Sequence, residues 1–268
     1  MERTDKTAMT QRKAQGKRNS ADLSMTVMRW GLVTTFIAFW ELGAEIGFID
    51  PFYFSAPSRI AHTLYLWAVQ GMLSKHLWVT LSEAGVGFLV GLFLGITCGF
   101  LFAASPRLDA VLQPFIVILN AMPRIAFAPL IILWFGLGFL SKVVIVVSLV
   151  FFVVFFNTYR GFKEINPAIV KNARVMGATP VQMLLHVYLP ATLAWTFASI
   201  RVSVGFSIIA AVLGEYIGAS AGIGYLIDNA QANFDATGVM TGLVTLTIAV
   251  AILDGVLQTI ERRYALRS

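Results

Sequence analysis

The chain has 268 residues; 57% are hydrophobic, only 13% are charged, and the mean hydropathy is +0.77. A soluble domain carries roughly a quarter charged residues, so this composition excludes one and indicates a membrane protein. The net charge of +6 does not point to nucleic acid, because the basic residues form no aromatic-interleaved patch, and the lone Cys98 excludes an intrachain disulfide and a thiolate zinc site.

Residues 1–29 are polar and hold seven Lys/Arg against three acids, which predicts a disordered basic tail. The apolar run from Trp30 to about Ile49 has no small-residue cleavage site at its end, so it reads as a first spanning helix and not as a signal peptide. Glu41 and Glu45 interrupt it and are tolerable only near its outer end or against protein. With the outer segment that follows, it occupies 30–76.

Five further apolar blocks lie near 77–104, 109–135, 138–160, 190–214 and 238–260. Each approaches the ~20 residues that cross a ~30 Å hydrocarbon layer. The expectation is an all-α membrane protein of about six transmembrane helices, with a core over 77–262 and a short tail over 263–268. Placing both termini in the cytoplasm puts fifteen of the twenty Lys/Arg on the inner side and three on the outer. This positive-inside bias sets the orientation and accounts for the high pI.

Gly87, Gly91, Gly95 and Gly99 fall on one face of the second span, where missing side chains let another helix approach closely. Glu83 continues that stripe by one turn. In the third span, Arg124 lies about fifteen residues in, roughly 22 Å deep at ~1.5 Å per residue. Pro123 precedes it and Asn120 lies one turn earlier. A proline removes an amide and breaks a helix, which membranes accept where backbone lines a watery path. Arg201 in the fifth span is comparably deep. Both arginines are candidates for a substrate path, favouring an anionic solute, or for ion pairs with Asp254 or Glu83. Ser199, Ser203 and Ser207 form a small polar stripe suited to packing. No cluster of carboxylates at mid-depth and no internal repeat is legible, which disfavours an ion-gradient-driven transporter.

Residues 171–190, KNARVMGATPVQMLLHVYLP, interrupt the apolar blocks with signals of ordered structure. Asn166 and Pro167 start a short helix that Gly177 ends; Thr179, Pro180 and Gln182 supply an N-cap, a first-turn proline and a capping box. On the first of these helices Ile169, Ala173 and Met176 share a side, while Lys171 and Arg174 fall elsewhere. That side either packs on the chain's own spans or meets a separate partner. The later stretch GEYIGASAGIGYLIDNAQANFD reads as a re-entrant gate segment or as a plain connection.

The spacing Ala173-x3-Gly177, then Val187-x-Leu189-Pro190 nine residues on, resembles the EAA loop of ATP-binding-cassette (ABC) importer permeases, E-A-A-x3-G-x9-I-x-L-P. Lys171 and Asn172 stand where that pattern has Glu and Ala. The stretches NAMPRIAFAPLIILWFGLG and GEYIGASAGIGYLI are similar to segments of the nitrate/sulfonate/taurine-type subfamily. The resemblance implies a permease of the bacterial inner membrane that is not itself an enzyme. It implies a cytoplasmic coupling helix between spans four and five, within residues 163–186, that contacts the ATPase through Ile169, Lys171, Ala173, Arg174, Val175, Met176 and Gly177. The implied partners are ATP-hydrolysing subunits, a second permease copy in a homodimer, an external solute-binding protein and the lipid bilayer. No GxxxxGK[ST] loop occurs, so ATP would be bound by a partner and this chain needs no cofactor. The implied solute is sulfonate-, taurine- or nitrate-like, with aromatic acids and vitamin precursors as the alternative.

Overall fold

The computed structural model describes residue 25 and residues 27–265, so most of the basic tail expected over 1–29, and 266–268 of the C-terminal tail, lie outside the described residues. Those residues form helices and turns, with no strand among them. The chain divides into two compact units between His62 and Thr63.

In the first unit, α1 runs over 27–45. A short α2, Pro51–Phe54, is capped by Asp50, whose carboxylate accepts from the Phe52 amide at 2.9 Å. Ser58, near the start of α3 (Pro57–Val69), donates its amide at 2.9 Å and its hydroxyl at 2.6 Å to the Glu41 carboxylate. The acid that interrupts the apolar run is thus hydrogen-bonded near the end of α1, on a partly exposed face.

The second unit holds α4 (Met72–Ala104), α5 (Pro106–Ala121), α6 (Ala128–Phe135), α7 (Phe139–Lys163), α8 (Pro167–Val175), α9 (Pro180–Met183), α10 (Leu189–Ile217), α11 (Ile223–Ala232) and α12 (Ala236–Ala265). Four stretches are long and apolar enough to cross a membrane, namely α4, α7, Ser199–Ile217 of α10 and Ala236–Thr259 of α12. The helix over 27–45 is not among them. The third expected span is broken: α5 stops at Ala121, Pro123 leaves helical geometry with ψ 83°, a 3-10 turn covers Arg124–Phe127, and α6 resumes. The missing amide of Pro123 and its steric demand on Met122 (ψ 129°) account for the stop.

α4 and α7 meet along the glycine face with matched four-residue steps. A Cβ built on Gly87 would lie 2.5 Å from Val146 Cβ, on Gly91 2.9 Å from Val150 Cβ, on Gly95 2.8 Å from Val154 Cβ, and on Gly99 2.8 Å from the Phe155 carbonyl. Val146, Val150 and Val154 are fully buried there. α10 closes the core with its stripe Thr192, Thr196, Ser199, Ser203 and Ser207, all buried. Thr196 meets Thr158 of α7 at 3.2 Å.

Pro190 does not open a separate span. α9 runs through a π-turn, Leu184–Tyr188, straight into α10, and the Leu189 amide donates to Leu184 O. Pro190 cannot donate to its own turn, and the wider π-turn just before it absorbs that loss without ending the helix.

Candidate functional site

The last turns of α7 gather three elements at one end of the bundle. Asp109, in the first turn of α5, accepts from Lys163 Nζ at 2.6 Å and from the Tyr159 hydroxyl. Phe162 stacks on Tyr188 of the π-turn with centroids 4.5 Å apart. From this platform the chain leaves into α8. Asn166 accepts the Ala168 amide at 2.9 Å, and Pro167 occupies the first turn. At its other end the Ala178 amide donates to Ala173 O at 3.1 Å and Gly177 adopts φ +81°. This is a left-handed stop that glycine alone makes without cost. The Thr179–Gln182 capping box then starts α9.

Held at both ends, α8 offers an apolar edge to the outside. Ile169 is 54% exposed, Val175 79% and Met176 86%, while Ala173 is half-buried; Lys171, Arg174 and Gly177 are exposed as well. The cleft between α8 and the end of α7 is lined by Pro167, Val170, Lys171, Arg174 and Val175, with Phe162 and Tyr188 opposite.

The arginines separate. Arg201 forms an ion pair with Asp254 of α12, Nε to Oδ1 at 2.8 Å, and Gln258 donates to the other oxygen of Asp254 at 2.7 Å. Arg124 donates from Nη2 to Leu119 O at 2.9 Å, and its guanidinium lies 4.4 Å from the centroid of the Phe152 ring. It thereby takes up one of the carbonyls that the broken α5 leaves open, a favourable position for a cation. Asn120 lies in the last turn of α5, next to the break.

At the opposite end of the bundle the structure assembles a cluster that sequence reasoning missed. Glu83 of α4, Lys142 of α7 and Glu215 of α10 are buried together, 4%, 1% and 1% exposed. The carboxyls of Glu83 and Glu215 lie beside each other, and both neighbour Lys142. Lys142 Nζ donates at 2.5 Å to Leu137 O and at 2.5 Å to Gly218 O. This pair of carboxyls lies toward one end of the bundle and not at mid-depth, a place for which the sequence raised no expectation. Glu215 lies just beyond the apolar block 190–214 and is drawn inward because α10 continues to Ile217, whereas Lys142 stands near the start of α7 at the edge of its block. The legible signal was a pair of opposite charges at the first and last turns of two neighbouring apolar runs. The cluster holds its own ammonium, so it is no vacant cation site. Among the described residues no group of metal-ligating side chains occurs.

The sequence profile of the binding-protein-dependent transport system inner membrane component family matches residues 91–266. The chain belongs to this family. It is thus an ABC importer permease, the membrane-embedded subunit and not an enzyme. A probable ABC transporter permease protein of Haemophilus influenzae is 34% identical over 80% of this chain and 87% of its own length. The putative aliphatic sulfonates transport permease protein SsuC of Bacillus subtilis is 30% identical over 87% and 84%. The taurine transport system permease protein TauC of Escherichia coli is 26% identical over 87% and 86%. In fold, the permease is similar to the MetNI methionine ABC transporter in an inward-facing conformation, with TM-score 0.63, 21% identity, and coverage of 73% of this chain and 97% of that one.

Proposed function

We propose that this permease forms, as a homodimer, the path for a small anionic solute of the sulfonate or taurine kind, and that α8 docks it to a separate ATPase. The observation that carries the docking is the apolar edge of Ile169, Val175 and Met176, exposed on a helix whose two ends are fixed by Asn166 and Gly177. In this reading residues 163–186 lie in the cytoplasm with both termini, and the basic residues flanking α8 agree with that side. Lys171 and Arg174 border the contact, and an external binding protein delivers solute to the other end.

The solute class is supported by relatives whose names specify aliphatic sulfonates and taurine, and by Arg124 beside the broken α5. A guanidinium suits a sulfonate or carboxylate in transit because its planar fork matches their oxygens. A second reading keeps the same role for a heteroaromatic solute. Relatives named for formylaminopyrimidine and for riboflavin transport are 32% and 30% identical to this chain.

The test is uptake into proteoliposomes holding the permease with its ATPase, in the presence of the external binding protein. Labelled taurine or an alkanesulfonate accumulates only when ATP reaches the ATPase. Accumulation of riboflavin in place of either would establish the second reading. Uptake driven by an ion gradient without the ATPase would contradict both.

A further inference from the structure

The start of α11 is held by side chains from other helices. The Gly222 amide donates to His76 Nδ1 at 3.0 Å, the Ile223 amide to Thr80 Oγ1 at 2.9 Å, and the Gly224 amide to Glu215 Oε2 at 2.7 Å. Thr80 in turn donates to Glu215 Oε1 at 2.7 Å. These are three of the amides that a helix start leaves open, and α11 has no side-chain cap of its own. On the other side of the connection, Lys142 holds the carbonyl of Gly218. Segment 218–224 is therefore held by polar contacts to α4, α7 and α10, and Ile223 near its end is buried in an apolar cluster with Leu226 and Ile227. Gly222 at φ +114° and Gly224, where a Cβ would lie 2.8 Å from Glu215 Cβ, make the seat too close for any other residue.

One group is left out. Glu83 is buried beside Glu215, and its Oε2 has no hydrogen-bond partner. A buried carboxylate oxygen without a donor is costly, and a partly satisfied buried network is worse than an apolar core. The oxygen has a use if Lys142 occupies two positions.

We propose that Lys142 is a two-position latch. In the seated position its ammonium holds the Leu137 and Gly218 carbonyls and fixes segment 218–224 at this end of the bundle. In the released position it transfers to Glu83 Oε2 and frees the Gly218 end of the segment, while His76, Thr80 and Glu215 keep hold of the amides at 222–224. The ammonium then has a partner in both states and is never buried alone, which keeps the two states close in free energy. Glu83 acts through Lys142 as a positioning residue for the transport cycle. The latch rests on the permease reading for its role as the gate to the binding-protein side, and not on the identity of the solute.

The experiment uses the full transporter in nanodiscs, with Cys98→Ala as background and spin labels at Trp78→Cys of α4 and Ser220→Cys of the segment. Both positions are exposed. Distances are recorded with and without the loaded binding protein, and ATP hydrolysis is measured in parallel. Wild type should show two distances whose populations shift on binding-protein addition. Glu83→Gln, isosteric but without the negative charge that would draw the ammonium away from the two carbonyls, should leave mainly the seated distance and lower binding-protein-stimulated hydrolysis roughly tenfold. Lys142→Met should leave mainly the released distance and make hydrolysis independent of the binding protein. A merely structural role would move both variants the same way. A common direction, or a wild-type distribution in Glu83→Gln, overturns the latch. Should Lys142→Met not assemble, Glu83→Gln alone decides. A wrong solute assignment leaves the distances unaffected, and a failure of the permease reading shows as no binding-protein-stimulated hydrolysis in wild type as well.

Discussion

At the scale of single residues, the permease shows how a charge is kept in an apolar bundle. Each of the deep charges described above has a named partner: Glu41 has Ser58, Arg201 has Asp254, and Lys142 has two carbonyls. Arg124 differs in kind, because its contacts are a helix-terminal carbonyl and an aromatic face. The sequence presented Glu83 and Asp254 as its possible partners, yet Asp254 is taken by Arg201 and Glu83 by Glu215. Replacing Arg124 by Gln retains a donor for Leu119 O while removing the charge. The lost interaction with the helix end is worth only ~0.3–1 kcal/mol, too little to unfold the subunit. Arg124→Gln should therefore assemble normally and transport an anionic solute at least about fivefold more slowly, a coupling near the low end of the usual range. Wild-type uptake by the assembled variant would remove Arg124 from the path, and with it the residue-level support for an anion.

Among the elements, the pairing of α4 with α7 is the best-determined feature. The four-residue glycine repeat is legible in the sequence because it is periodic, and its partner face of Val146, Val150 and Val154 follows the same step. Gly91→Leu would press on Val150 Cβ at 2.9 Å and on the Phe151 amide nitrogen at 3.2 Å. Overpacking of that kind costs ~1–3 kcal/mol or more, since backbone must yield. The variant should give markedly less monodisperse protein after detergent extraction. Gly85→Leu on the same helix, with nothing within 4 Å, should behave as wild type. Equal yields from the two would mean that the glycine face does not set this packing.

The caps of α8 and α9 were legible for a different reason. Asn166, Gly177 and the Thr179–Gln182 pair act on amides within a few residues of themselves, so spacing suffices to find them. The buried cluster was not legible. Glu83, Lys142 and Glu215 are separated by most of the core in sequence and meet only once α4, α7 and α10 are packed. The continuation of α9 through the π-turn into α10 was likewise hidden, because Pro190 is an ordinary start signal for a helix and nothing local shows that the preceding turn widens to receive it.

Over the whole molecule, the two ends of the bundle do different work. One end presents α8 on a platform built from Asp109, Tyr159, Lys163 and the Phe162–Tyr188 stack. The other seats α11 on the Glu83–Lys142–Glu215 cluster. α7 and α10 reach both ends, α7 with Lys142 near its start and Lys163 at its close. A shift imposed on α8 thus has two packed helices, α7 and α10, along which to reach segment 218–224. Such coupling requires that α8 be held at a defined angle, and Gly177 is the residue that sets it. A side chain at φ +81° is strained by ~1–2 kcal/mol although the space around it is open, so the defect of Gly177→Leu is confined to the bend. The most direct test of the account is binding-protein-stimulated ATP hydrolysis by the reconstituted complex carrying Gly177→Leu. Normal membrane insertion with stimulation lost is the predicted result; full stimulation at the wild-type rate would contradict the assignment of α8 as the coupling element.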